Sequence, residues 1–104
     1  MEDDFRLDWF MDAAVLARWI NATPGQCFVG SGKDRLFFLD ARAAKAAGVE
    51  RGMIVRMAPD ACEIAAAGGT LCVCRVRTAD GHEMSAQEAL LNQGLREGVP
   101  WGGA

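Results

Sequence analysis

Apolar residues fall into short blocks separated by Gly, Pro and acidic residues, and their spacing changes from helical to alternating along the chain. The run WFMDAAVLARWIN, from Trp9 to Asn21, has no Gly or Pro. It places Trp9, Ala13, Leu16 and Ile20 on one stripe and Met11, Val15 and Trp19 on a second. This pattern predicts a helix capped by Asp8, with apolar surface on more than one side. After the turn TPGQ, Cys27 to Val29 and Arg35 to Leu39 read as two strands of a hairpin around the loop GSGKD. Asp40 is placed to cap a short helix over ARAAKAA that Gly48 ends, and MIVRM at 53–57 reads as a strand.

Further along, Asp60 and Glu63 have capping-box spacing and predict a short helix ending at Gly68 and Gly69, with a strand over 62–66 as the alternative. TLCVCRVRT at 70–78 is the clearest strand: Leu71, Val73, Arg75 and Arg77 alternate with Cys72, Cys74 and Val76, and the second set is the better core face. An Asp80-Gly81 turn follows, then a helix AQEALLNQGL with Ser85 and Glu88 as its capping box. The expected fold is a single α+β domain. A mostly antiparallel sheet of four or five short strands is packed by N-terminal and C-terminal helices over residues 9–98. A flexible acidic start covers 1–8, and a Gly-rich tail, 99–104, carries Trp101.

Composition supports one core: 51% of the 104 residues are hydrophobic, a length that leaves little room for two domains. Much of that fraction is Ala, so the core leans on five Phe, three Trp and five Met. The net charge of -3 is well mixed and disfavours nucleic acid as a partner, and no apolar run is long enough for a membrane span. The acidic opening does not have the form of a secretion signal, so the four cysteines read as reduced thiols of a cytoplasmic protein.

Candidate chemistry is sparse. Cys62, Cys72, Cys74 and His82 are potential zinc ligands, but without Cys-x2-Cys knuckles the thiols read first as small apolar side chains, and no metal or cofactor is implied. GSGKD lacks the first glycine and the hydroxyl of a phosphate loop, having Cys27 and Asp34 at those positions. The carboxylates Asp40, Asp60, Glu63 and Glu88 have capping roles, and thiol catalysis would have to rely on the single His82. Arg56, Arg75 and Arg77 lie on predicted strands, where a row of guanidinium groups would suit an anionic ligand or an acidic partner.

The stretch LFFLDARAAKAAGVERGMIVRM, Leu36 to Met57, resembles the swapped-hairpin transcription regulators of the AbrB and antitoxin type in its strand, short helix, Gly48-Val49 to Gly52 turn and second strand. That resemblance covers about a fifth of the chain and implies an intertwined DNA-binding dimer. Asp40 stands where that family often has Pro, and Phe37 and Phe38 stand where basic residues are usual.

Weighed together, the residues favour binding over catalysis. The first expectation is a small regulatory module that self-associates as a homodimer and binds another protein through Trp19, Arg56, Arg75, Arg77 and Trp101. Alternatives are a small-ligand or enzymatic domain using Arg75, Arg77 and His82, a zinc-stabilised regulator, and the swapped-hairpin DNA-binding dimer.

Overall fold

The computed structural model describes residues 5–46 and 48–101. It is an α+β fold with two helices, as the sequence predicts, but its strands form two four-stranded antiparallel sheets where a single sheet of four or five is expected. The strands are β1 (Phe28–Val29), β2 (Leu36–Phe38), β3 (Arg42–Ala44), β4 (Ile54–Met57), β5 (Cys62–Ala66), β6 (Gly69–Val73), β7 (Arg75–Thr78) and β8 (Glu83–Ser85). The helices are α1 (Ala13–Ala22) and α2 (Ala86–Asn92). The first sheet has the order β1-β2-β7-β8 and the second β3-β6-β5-β4.

Helix α1 starts later than its periodicity suggests. Asp12, not Asp8, is the cap, its side chain accepting from Ala14 N. Trp9 and Met11 stay outside the helix because their carbonyls accept from Ala67 N, while Ala13 N donates back to Ala67 O. That pairing ties the entry to α1 against the β5–β6 turn. In this turn Gly68 has a φ of +68°, and a side chain there would meet Asp12 Oδ2 at 2.7 Å. At its far end, Asn21 donates through Nδ2 to Ala41 O at 2.7 Å and accepts from Ala41 N at 3.1 Å.

Two segments read first as helices are strands, the second over the 62–66 span that is its alternative. Arg42–Ala44 pairs with Cys72, Leu71 and Thr70 of β6, and Cys62–Ala66 lies between β4 and β6. Alanine's local helix preference is small per residue and yields to a full set of ladder bonds with a buried central strand. Asp40 and Glu63 are accordingly not caps: Asp40 accepts from Cys74 N at 3.0 Å, and Glu63 pairs with Arg56. Ser85 does cap α2, accepting from Glu88 N.

The predicted strand at 70–78 breaks at Cys74. Its first half is central in the second sheet and its second half central in the first. The break changes the alternation, so Leu71, Val73 and Val76 all enter the core, whereas Arg75 is exposed. Cys72, expected on the core face, instead lies in a cross-strand row with Arg42 and Glu63.

Both ends of the described chain pack. Where a frayed start is expected, Leu7 is buried and its N–H donates to Phe28 O. At the other end Trp101 is 5% exposed, its ring 5.9 Å from Trp9 and 5.7 Å from Phe38, and its N–H donates to Gly52 O. Residues 1–4 and 102–104 lie outside the described residues.

Candidate functional site

A hollow of about 500 Å³ opens between β2, the β7–β8 hairpin and α2, and its size is that of a small-ligand site. Leu36, Met84 and Ala89 give it an apolar floor. Lys33 and Asp34 reach its rim from the 3-10 turn Gly32–Asp34, Thr78 and Asp80 from the hairpin, and Asn92 and Gln93 from the end of α2. Gln93 Nε2 donates to Asp34 O at 2.9 Å, so this bond holds the loop against the helix.

The hairpin turn is tightly cross-linked. Thr78 Oγ1 donates to Asp80 Oδ1, His82 N donates to Thr78 Oγ1 at 3.1 Å, and His82 Nδ1 lies 3.2 Å from Asp80 Oδ2. The Thr78 hydroxyl, followed by the His82 ring, holds the Asp80 carboxyl below its usual range. The rim thus presents a fixed anion at Asp80, a second carboxylate at Asp34 and an ammonium at Lys33 over an apolar floor. Such a set suits a polar molecule carrying an amine and an apolar part.

Of the residues singled out in the sequence, His82 sits in the hairpin beside this rim and the others do not converge on it. Arg77 Nη2 donates to Gly25 O at 3.0 Å, and Arg75 is exposed on β7. Arg56 lies on β4 in the other sheet, with Glu63 at 3.2 Å and Asp60 at 3.6 Å, so the three arginines form no row. Trp19 is half-buried and stacked on Phe5, and Trp101 is in the core.

The thiols do not converge either. Cys62 belongs to the core and Cys72 to the opposite face, and no group of His, Cys, Asp and Glu among the described residues could hold a metal ion. Burial pushes Cys62 up to about 11 and also raises Cys27 and Cys74, which removes the thiolate that nucleophilic catalysis needs at neutral pH.

Sequence reasoning missed Lys33, Asp34, Thr78, Asn92 and Gln93 as a set. The available signal was local: a Lys-Asp pair in a Gly-rich loop, and polar residues directly after Leu90 and Leu91 on α2.

The family model for the formyl transferase C-terminal domain matches residues 1–94. The chain belongs to that family. Among curated proteins none matches this formyl transferase C-terminal domain. Among solved structures, the crystal structure of a HypX variant from Aquifex aeolicus shares the fold, with a TM-score of 0.67 at 15% identity over 93% of this chain. The domain spans 18% of that protein's length.

Membership overturns the expectation of a non-catalytic, self-associating regulatory module that binds another protein, since the family is the C-terminal domain of formyl transferases. The swapped-hairpin resemblance fails on topology as well. The Leu36–Met57 stretch supplies β2 to one sheet and β3 and β4 to opposite edges of the other. Among the described residues no helix is long and apolar enough to cross a membrane.

Proposed function

We propose that this domain serves formyl-group transfer as the accessory part of an enzyme, with the hollow beside the β7–β8 hairpin holding the amine-bearing acceptor. The family match carries the reading, and the chemistry of the rim supports its finer part. Asp80, kept anionic by Thr78 and His82, accepts hydrogen bonds from an ammonium group. Leu36 and Met84 receive the acceptor's apolar portion, and Lys33 meets an anionic substituent. Holding the acceptor in one orientation next to a catalytic unit lowers the entropy cost of transfer. The same reading puts the domain in the cytoplasm, where its free thiols stay reduced.

The test is steady-state kinetics of the formyl transferase that contains this domain, with Asp80→Asn. The expected result is a several-fold rise in KM for the acceptor, with KM for the formyl donor and the thermal melt unchanged. An unchanged acceptor KM, or an equal rise for donor and acceptor, refutes the placement of the acceptor at this hollow.

A further inference from the structure

A second hollow, of about 200 Å³, lies on a different part of the surface and shares no described lining residue with the first. Trp9, Phe10, Arg51, Gly52 and Trp101 line it, with Asp8 and Pro100 at its edge. Three features are unusual for a surface dent. Phe10 is 72% exposed, the most exposed large apolar side chain described, and the Arg51 guanidinium carbon stands 5.0 Å from its ring centre. Arg51 has no acidic partner among the described residues.

The third feature is the indole of Trp9: its Nε1 is buried and without a hydrogen-bond partner among the described residues. An orphaned buried donor is costly, and such groups in folded proteins call for a specific explanation. Its position suggests one. A Cβ at Gly52, which has a φ of +86°, would lie 3.0 Å from Trp9 Cδ1 and 3.7 Å from Nε1, so the N–H edge faces a lining residue that has no side chain. Any larger residue at position 52 would crowd this edge.

We propose that this hollow is a binding site for a small planar monocarboxylate. The carboxylate pairs with the Arg51 fork and accepts from Trp9 Nε1–H, and the flat body packs against Phe10 and Trp101. A single negative charge is favoured over a phosphate dianion because the exposed Asp8 carboxylate lines the same hollow beside the one cation. The indole N–H is sealed from water, so binding has to open a path to it.

The experiment is a titration of the 15N-labelled protein with sodium benzoate, following the indole N–H signals of its three tryptophans, each assigned by a Trp→Phe variant. The Trp9 signal is expected to move downfield and saturate while that of Trp19 stays still. Benzamide, which lacks the charge, and cyclohexanecarboxylate, which lacks the flat ring, should each bind about tenfold more weakly or worse. Arg51→Gln, with an otherwise unchanged spectrum, should lose about tenfold in affinity, and Arg51→Lys should fall in between. A stationary Trp9 signal, undiminished binding by Arg51→Gln, or an equal response to inorganic phosphate would overturn the proposal.

Discussion

Replacing Trp101 by alanine tests whether the last described residue belongs to the core energetically as well as by position. The ring is 5% exposed and sits against both Trp9 and Phe38, which come from distant parts of the chain. Truncating a buried Trp or Phe to Ala costs about 3–5 kcal/mol, through lost transfer energy and the cavity left behind. Domains of this size are stable by about 5–15 kcal/mol, so the variant keeps only part of its stability. With a urea slope of about 2 kcal/mol/M, the unfolding midpoint falls by about 2 M. The melting temperature falls by about 15–30 °C. Far-UV circular dichroism is the right readout, because it does not depend on the tryptophan being removed. Trp101→Phe, which keeps an apolar ring in the site, should recover roughly half of the loss. A loss below about 1 kcal/mol, the size of an ordinary surface substitution, would refute the view that this residue closes the core.

Asn21→Ala removes both hydrogen bonds to the Ala41 backbone, which is 9% exposed, and should cost about 1–2 kcal/mol in urea unfolding; less than about 0.5 kcal/mol would mean that water replaces the clamp fully. An aromatic disulfide reagent near neutral pH should modify Cys74 first, since Cys27, Cys62 and Cys72 are buried; mass spectrometry showing equal rates for all four thiols would contradict the packing. Burial raises the Cys62 thiol from 9.0 to about 11, so the native state holds that proton more tightly than the unfolded chain does. The stability tied to Cys62 is therefore complete below pH 9 and is lost as the pH rises through about 11, and Cys62→Ala should flatten that alkaline decline in urea midpoints.

Elements that carry their own boundary signals were legible in the sequence. The β1–β2 hairpin follows a Pro-Gly turn, β4 lies between Gly52 and Pro59, and Ser85 with Glu88 marks the start of α2. Ala-rich segments read first as helices, with a strand over 62–66 only as the alternative, because Arg42–Ala44 and Cys62–Ala66 become strands through pairing with β6, a contact across the fold. The same limit applies to the first hollow. His82 could be picked out as a single histidine in a turn. Its neighbours on the rim come from a loop, a hairpin and a helix end that only the folded sheet brings together. Periodicity over 70–78 misassigned Cys72 because one irregular residue, Cys74, reverses which side chains face inward.

That reversal also has a mechanical meaning. A single stretch of ten residues, Gly69 to Thr78, is an interior strand of both sheets, with neighbours on each side in each. Cys74 alone separates the halves, so a displacement of one sheet pulls directly on the central strand of the other. The wall of the hollow that Leu36 of β2 and Thr78 of β7 supply is thereby anchored in both sheets at once, since β7 continues directly from the core of the other.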